Sequence, residues 1–582
     1  MKAKWLPTAA PCAPLLLSLV VLLLDGNLVA QSPFGTPDPS LPPPALTYHG
    51  LIPGVSTMAE VREKLGAPAH EARWYDYKML YPVPDRPGLF DAVHLEARDA
   101  KTGTLGGVEA ATIPEGWGIW SVVRARLGPP EFYLELHDHA LADYTEKGLR
   151  FVFDHWGHTI GIAYVPHGRP RVHAGGRRFL SLRHLRQGSQ ATLPTRPGLD
   201  GLRAGAVEVD ITPTQEALGP SAADREFRVH DPIKARCAVL ERGNLCVAIV
   251  GADLFGLSRS EVLPIEAGLR EHGVDHLILA SSHNHSAPDT IGIYGFFPQE
   301  YVADVQRKIR DGVLAAKKAS RAVKAWRAAS DELPLRGARV AGLFRNARNP
   351  GIVDPQIAVL QAVGADDRPI ATFVHFACHV EGLEKGAIEA SAGFPGVLCD
   401  RIARDLGGVA IFLNGAVGGM ITGDTAARTQ EETRMAGVRL AEEVKRIRAL
   451  AVAPSEMRFE IIRRRVEIPL TNPKLHLFIK ASGRRTLHES RLVTEMFLLR
   501  LGDAEIITMP GELLPELSFE ILAEMQGYPR MIVGLVNDEC GYLIPAWDFN
   551  PDQYEESMSP GPAAGPVVRD QAIRMLRESR NP

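Results

Sequence analysis

Two histidines stand one residue apart at the end of an apolar, strand-like segment. Residues 277–280 are apolar, and the chain continues as Ser281-Ser282-His283-Asn284-His285. Because side chains at i and i+2 of an extended chain point the same way, His283 and His285 can reach one point in space where the strand ends. Imidazole nitrogens are common metal ligands. A single His-x-His is more often two solvated or hydrogen-bonded histidines, so a metal site requires ligands from other segments.

Three other segments offer such groups, each at the end of a predicted strand or in the turn after one. They are His379 after 370–376, Glu512 after the strand and turn 506–511, and Tyr542 after the polar turn 537–541. Two imidazoles and a carboxylate suit zinc, which in catalytic sites commonly keeps one position open for water. We expect Glu512 to stand at the start of a helix, where the helix dipole stabilises an anion. His375 lies inside its strand and is interpreted as a packing residue.

The elements that must position these groups follow an α/β pattern. From Gly205 onward, continuous apolar runs alternate with amphipathic segments. The pattern predicts helices over 259–271, 299–318 and 395–406, and strands over 246–250, 370–376 and 409–413. Such alternation predicts an α/β domain with a largely buried mixed sheet, with its chemistry beyond the strand ends.

The composition and the first residues indicate an exported protein. Lys2 and Lys4 precede an apolar run over 13–24, which predicts a secretory signal peptide over 1–30 with cleavage before Gln31. A retained signal anchor is the alternative. The formal net charge is −4, without a long block of one sign, and this argues against a nucleic acid partner. The five remaining cysteines are too sparse for a disulfide framework, and Cys237 and Cys246 are either a hairpin pair or buried thiols.

The region before the α/β domain contains an internal repeat. Residues 31–48 form a proline-rich tether, and 169–202 form a basic linker. Between them, Val-Arg-x-x-Leu-Gly-x-Pro occurs at 61–68 and again at 123–130, each time followed by an aromatic-rich strand pattern, 74–81 and 149–154. This predicts two small α+β repeats over 49–168 that resemble BamE-like envelope modules. The resemblance implies that these repeats bind an envelope protein.

The ordered segments of the α/β domain resemble the neutral (non-lysosomal) ceramidase family. The resemblance covers about residues 203–560 of a domain expected over 203–582, and it is carried by Gly205-Ala206-Val207-Glu208-Val209-Asp210-Ile211-Thr212-Pro213, Ser282-His283-Asn284-His285-Ser286-Ala287-Pro288, Phe376-Ala377-Cys378-His379, Phe394-Pro395-Gly396, Pro510-Gly511-Glu512 and Asn537-Asp538-Glu539-Cys540-Gly541-Tyr542. Asp231, Asp253 and Arg345 also fall in family-like segments.

The resemblance implies a zinc amidase that hydrolyses the N-acyl bond of ceramide, with metal-bound water as nucleophile. The implied metal ligands are His283, His379, Glu512 and Tyr542. It implies that His285 contacts the substrate oxygen or the transition state, and that Arg345 binds substrate. The expected partners are a lipid or other small-molecule substrate, with peripheral contact to a membrane.

The chain departs from the family pattern at two positions near the expected site. It has Gly418-Gly419-Met420-Ile421-Thr422 where the family shows Gly-Asp-x-Ser or Gly-Asp-x-Asn, and it has Gly393 where an aspartate is usual. The roughly 30 residues after Gln553 are also too few for the family's immunoglobulin-like domain of about 100. Two hypotheses follow: an exported zinc hydrolase of an amide or related acyl bond, or a ceramidase-like envelope binding protein that has lost turnover.

Overall fold

A computed structural model describes most of residues 201–580 and parts of 49–164. The gaps in the first range are 215–227, 294–296, 334–338, 341–342, 350–351, 382–388, 426–427, 483–484, 486 and 552. The described parts of the second are 49, 51, 56–67, 70–73, 77–82, 90–95, 105–110, 123, 127, 132–135, 139–144, 147, 149–154 and 159–164. The predicted signal peptide 1–30, the tether 31–48 and residues 169–200 of the linker lie outside the described residues.

The predicted repeats contribute to one antiparallel sheet. Helix α1 (Met58–Leu65) begins with a capping box between Thr57 and Glu60, and Gly66 follows it at φ 75°. The strands are β1 (His70–Arg73), β2 (Tyr77–Pro82), β3 (Phe90–Leu95), β4 (Leu105–Ala110), β5 (Phe132–Glu135), β6 (His139–Tyr144), β7 (Leu149–Asp154) and β8 (Thr159–Tyr164). Their order is β1-β2-β3-β4-β8-β7-β6-β5, so the last strand of each repeat pairs with that of the other.

The α/β region begins with β9 and ends with a long helix. Its strands are β9 (Arg203–Asp210), β10 (Arg228–Val229), β11 (Lys234–Arg242), β12 (Leu245–Ala252), β13 (His276–Ser281), β14 (Arg321–Glu332), β15 (Arg339–Val340), β16 (Phe344–Asn346), β17 (Gln356–Gly364), β18 (Pro369–Phe376), β19 (Glu389–Ala390), β20 (Val409–Asn414), β21 (Ile421–Gly423), β22 (Phe459–Pro469), β23 (Leu487–His488), β24 (Arg491–Leu501), β25 (Ala504–Thr508), β26 (Glu512–Leu513), β27 (Arg530–Val533) and β28 (Tyr542–Leu543). Its helices are α2 (Arg259–Arg270), α3 (Gln299–Lys318), α4 (Gly393–Leu406), α5 (Gln430–Arg448), α6 (Pro473–Ser482), α7 (Pro515–Glu524), α8 (Tyr554–Ser557) and α9 (Ala564–Glu578).

The largest sheet of this region has the order β13-β12-β11-β9-β14-β17-β18-β20. Its β12–β13 and β18–β20 pairs are parallel and the others antiparallel, so the predicted mixed α/β fold is confirmed. Strand β14 pairs with β9 through Arg321 and Ala322 and with β17 from Val323 to Glu332, with a register shift between Val323 and Ala325. The half formed by β13-β12-β11-β9 packs against the half formed by β14-β17-β18-β20. The close approach is seen at Gly251 of β12, where a Cβ atom would come within 2.5 Å of the Phe412 carbonyl oxygen of β20.

A second sheet supplies the remaining strand ends. Its order is β22-β24-β25-β27, and β25 and β27 are parallel. One apolar core contains side chains of both sheets, among them Ile249, Phe373, Phe497 and Ile506. Burial of this surface, at roughly 25 cal/mol per Å² of apolar area, holds the two sheets together.

Several local predictions agree closely with the structure. Helices α2 and α3 cover the predicted 259–271 and 299–318 to within one residue, and β18 covers 370–376. Cys237 and Cys246 are buried free thiols on neighbouring strands rather than a disulfide. Among the described helices, none combines the length and the apolar character needed to cross a bilayer.

Candidate metal centre

The histidine loops meet because backbone hydrogen bonds join the ends of their strands. His283 follows β13 and His379 follows β18. Asn284 forms a parallel bridge with Val380, and the backbone N–H of His285 donates to the Val380 carbonyl oxygen at 2.9 Å. The two loops therefore run side by side, and their imidazoles face the same space.

His283 has a backbone conformation and a hydrogen bond that fix its ring. Its φ is 61°, a left-handed value that is uncommon outside glycine and often found at functional sites. Its Nδ1 lies 3.0 Å from the Phe255 carbonyl oxygen, which accepts a hydrogen bond from it. An imidazole that donates from Nδ1 keeps the lone pair of Nε2 for a metal. The extended geometry predicted for 283–285 is thus wrong at His283, although the two rings still lie 4.8 Å apart.

Asn414, at the end of β20, links the two histidine loops. Its Nδ2 donates to the carbonyl oxygens of Ser282 at 2.7 Å and Cys378 at 3.0 Å. Its Oδ1 accepts from the backbone N–H groups of Cys378 at 3.1 Å and Gly415 at 2.9 Å. Because Asn414 is completely buried, no water can replace these bonds without rearrangement. No local sequence pattern indicates this role, because it depends on three separate segments.

Replacing Asn414 by alanine is expected to weaken metal binding at the candidate site by about 10- to 100-fold, the range typical of residues that orient metal ligands. Loss of its hydrogen bonds leaves buried backbone groups unsatisfied, at about 1–3 kcal/mol each. Gln361→Ala is the matched control, since Gln361 is also a buried amide. Its Nε2 donates to Thr372 Oγ1 at 3.0 Å, and neither residue belongs to the histidine loops. Zinc titration and thermal unfolding measure both variants. Equal zinc affinity in the two would contradict the role of Asn414.

Glu512 and Tyr542 reach the same space from the second sheet. Glu512 lies in β26, which pairs in parallel with β28 so that Glu512 stands beside Tyr542. The expectation that Glu512 begins a helix is wrong, because helix α7 begins at Pro515. The backbone N–H of Glu512 donates to the Gly541 carbonyl oxygen at 3.1 Å. Strand pairing, rather than a helix dipole, therefore holds this carboxylate.

The atoms of these residues have the spacing of ligands around one ion. Oε2 of Glu512 lies 2.9 Å from Nε2 of His379 and 3.4 Å from Nε2 of His283. Ligand atoms about 2.1 Å from a tetrahedral zinc are about 3.4 Å apart. Both ring nitrogens of His379 and Oε2 of Glu512 are buried without a hydrogen bond of good geometry. Such unsatisfied buried atoms are costly unless an ion fills the space, so the residues present fit a zinc ion.

His285 comes closer to this group than the sequence indicated. One nitrogen each of His283, His285 and His379 lie within 4.8 Å of one another. Phe255 stacks on His283 at 4.9 Å between ring centroids and meets His285 edge-on at 5.0 Å. His285 is only partly buried, whereas the other two histidines are buried. It can therefore serve as a third imidazole ligand or face a substrate.

Burial and mutual contact shift the pKa values of this group. Burial lowers the pKa of His283 despite the nearby Glu512 charge. For His379, burial is outweighed by the adjacent Glu512 carboxylate, which raises its pKa. For Glu512, burial is outweighed by His283 and His379, and its pKa is lowered. An ionised carboxylate among imidazoles is the donor set that zinc favours.

The group opens into a cleft of about 820 Å³, counting its mouth. His283, His285, Glu512 and Tyr542 line one end, whereas apolar side chains line much of the rest: Phe255, Ile291, Ile293, Leu475, Phe478, Ile479, Leu492 and Met558. The cleft therefore has the character of a small-molecule site, lined mainly by apolar side chains with a few polar groups among them. Glu539 also lines it, and burial together with the Glu512 charge raises the pKa of Glu539 well above its usual range. Glu539 was not predicted as a site residue, although it lies three residues before Tyr542.

The other predicted residues have different surroundings. Arg345 is 1% exposed, and it lies in β16 opposite Thr422 of β21. The neighbouring residue Ile421 accepts a hydrogen bond from the His379 backbone N–H at 2.7 Å through its carbonyl oxygen. Among the described residues, Arg345 is not part of the cleft lining. Its assignment to substrate binding therefore stays a prediction.

Asp231, Asp253 and His375 form hydrogen bonds or ion pairs that hold the fold together. Asp231 accepts from Ser391 Oγ at 2.6 Å near the start of α4, and buried Asp253 pairs with Arg236 at 2.9 Å. Nε2 of His375 lies 2.9 Å from the Ile532 carbonyl oxygen, and burial lowers the pKa of His375 to about 4. This agrees with its interpretation as a packing residue.

The two departures from the family pattern have physical consequences. Gly393 has φ 62°, and a Cβ atom there would come within 2.5 Å of Val380 Cγ1. An aspartate at this position would therefore require Val380 to move. At the other departure, Met420 Sδ lies 3.4 Å from the Tyr542 hydroxyl, so a thioether stands beside this phenol.

Comparison with known proteins identifies the fold. No protein-family model and no curated protein sequence matches the chain. The crystal structure of neutral ceramidase from Pseudomonas aeruginosa aligns with a TM-score of 0.54 and 17% identity, over 67% of this chain and 75% of that chain. A ceramidase complexed with C2 aligns with the same score and identity, over 67% of this chain and 76% of that chain. At this identity the similarity shows the fold alone, and the chain has a neutral-ceramidase-like mixed α/β fold.

Proposed function

We propose that the protein is a zinc-dependent hydrolase of an amide or related acyl bond. One observation carries the proposal: a buried carboxylate oxygen of Glu512 lies 2.9 and 3.4 Å from the Nε2 atoms of two histidines. This group stands at one end of an apolar cleft. His283, His379 and Glu512 would hold the ion, with Tyr542 as the fourth protein ligand. Bound zinc supplies a positive charge and a water that is acidic near neutral pH.

The chain's own residues would orient the substrate. His285 faces the cleft and can donate a hydrogen bond to the carbonyl oxygen as negative charge develops there. The apolar side chains of the cleft accommodate an acyl chain and exclude water, which strengthens the polar contacts at the reacting end. A long-chain N-acyl amine of the ceramide type suits this combination, and the similarity to ceramidase structures supports it.

The amino-terminal part of the chain would set the place of action. We infer export to the periplasm or the extracellular space from the predicted signal peptide. The two repeats, with their BamE-like sequence pattern, would bind an envelope protein and keep the hydrolase near its substrate. Their described strands form one sheet, through which the repeats would bind such a partner.

A second function is favoured by the departures at Gly393 and in the segment 418–422. Gly393 lies beside Val380 of a histidine loop, and Met420 of the second segment lies beside Tyr542. The chain lacks the aspartate of the family pattern at Gly393, and it lacks the aspartate and the serine or asparagine at their family spacing in 418–422. A chain with these changes could keep zinc and the cleft but bind lipids without cleaving them. This alternative is a ceramidase-like envelope binding protein.

A hydrolysis assay separates the two functions. Zinc-loaded protein is incubated with N-acylsphingosine, with shorter N-acyl amines and with acyl esters, and the released fatty acid and amine are measured. We expect release from at least one acyl substrate, and its loss in His283→Ala. Stoichiometric zinc and lipid binding without any release would favour the binding protein.

A further inference from the structure

Helix α6 separates the cleft from the outside of the molecule. Leu475, Phe478, Ile479 and Ser482 line the cleft, and their spacing of three, four and seven residues places them on one face of the helix. The opposite face carries Leu477. At 70% exposure, Leu477 is the most exposed large hydrophobic side chain among the described residues. A helix that lines a cleft with one face would ordinarily carry polar residues on the other.

Two lysines flank this leucine on the outer face. Lys474 and Lys480 stand three residues before and three residues after Leu477, so all three share one side of the helix. Both lysines are exposed, and within the described part of the chain neither forms an ion pair. Some other surface lysines are paired, as Lys308 is with Asp304 at 2.9 Å and Lys445 with Asp405 at 2.9 Å. The outer face of α6 thus combines an exposed apolar side chain with two positive charges that have no ion-pair partner among the described residues.

We propose that this outer face of α6, defined by Lys474, Leu477 and Lys480, docks on a membrane surface that contains anionic lipid. A leucine can enter the boundary between headgroups and acyl chains, and basic side chains beside it attract anionic headgroups. Docking in this way brings the cleft beside the bilayer, because the other face of the same helix lines it. This docking proposal rests on the proposed function in one respect, namely that an acyl substrate enters the cleft.

Vesicle sedimentation tests this surface without requiring turnover. Full-length protein is mixed with vesicles of phosphatidylcholine alone or of phosphatidylcholine with phosphatidylglycerol, and the bound fraction is measured. We expect wild type to prefer the anionic vesicles and to dissociate as salt rises. The double variant Lys474→Ala/Lys480→Ala and the single variant Leu477→Gln should each bind the anionic vesicles about 10-fold more weakly than wild type. The matched control is Leu450→Gln, because Leu450 is 59% exposed but lies outside α6, and this variant should bind as wild type does.

Two results would overturn the proposal. One is equal vesicle binding by wild type and Leu477→Gln, or no binding by wild type. The other is a wild-type dimer that Leu477→Gln dissociates, since the face would then be covered by a second copy of the chain. If α6 binds vesicles but the protein hydrolyses no acyl substrate, the docking surface is supported and the proposed hydrolase function is wrong. Failure of the docking proposal can therefore be distinguished from failure of the proposed function.

Discussion

Replacing His379 by alanine is expected to abolish stable zinc binding and to reduce acyl-bond hydrolysis below detection. The His379 side chain is completely buried, and its Nε2 lies 2.9 Å from Oε2 of Glu512. Removing the imidazole deletes one proposed ligand and leaves the Glu512 carboxylate without its nearest partner. The loss of zinc affinity should therefore exceed the about 10- to 100-fold typical of residues that only support a ligand.

The chain offers a closely matched control for this substitution. His375 is a second buried histidine four residues earlier, at the end of β18, and its ring contacts the Ile532 carbonyl oxygen rather than the candidate site. His375→Ala should lower the melting temperature, because it removes buried contacts and a hydrogen bond, but it should leave zinc stoichiometry unchanged. Zinc content by elemental analysis, with thermal unfolding of both variants, makes the comparison. Retention of zinc by His379→Ala would contradict the assignment of His379.

Replacing His285 by alanine is expected to keep zinc bound and to lower kcat by about 10²- to 10³-fold, the range for loss of one group that stabilises an oxyanion. This expectation follows from its partial burial and its place on the cleft wall. The measurement is kcat and KM together with zinc stoichiometry, at pH values where wild type is active. The matched conservative variant is His285→Gln, which can still donate a hydrogen bond and should recover part of the rate.

The same variant tests the competing arrangement. Because nitrogens of His283, His285 and His379 lie within 4.8 Å of one another, three imidazoles and Glu512 could hold the ion without Tyr542. In that case His285→Ala would lose zinc, and Tyr542→Phe would retain it. In the arrangement proposed above, His285→Ala keeps zinc bound, whereas Tyr542→Phe weakens zinc binding.

The amino-acid sequence predicted those parts of the site that depend on local pattern. An apolar run that ends in a polar turn is visible without a structure, and His283 and His379 follow such runs. Helix α3 was predicted to the residue, because its amphipathic period continues to a cluster of lysines at its end. In these cases the information lies within a window of about 20 residues.

The missed features depend on contacts between distant segments. The environment of Glu512 is set by a two-residue strand pairing with Tyr542, which no local period indicates. The role of Asn414 requires Ser282 and Cys378 to come together from two other strand ends. The merging of the two repeats into one sheet rests on the pairing of Val108 with Tyr164. Long-range pairings of this kind follow from the packing of whole sheets, and the period of one strand does not determine them.

Zinc stoichiometry of the purified wild-type protein tests the central claim most directly. The protein is stripped of metal, incubated with excess zinc, freed of unbound metal and analysed for zinc per chain, with Glu512→Gln treated in parallel. We predict one tightly bound zinc per wild-type chain and markedly less in Glu512→Gln, because the neutral amide is a much weaker ligand than the carboxylate. Folded wild-type protein that retains no zinc, or retains as much as Glu512→Gln does, would contradict the proposed metal centre.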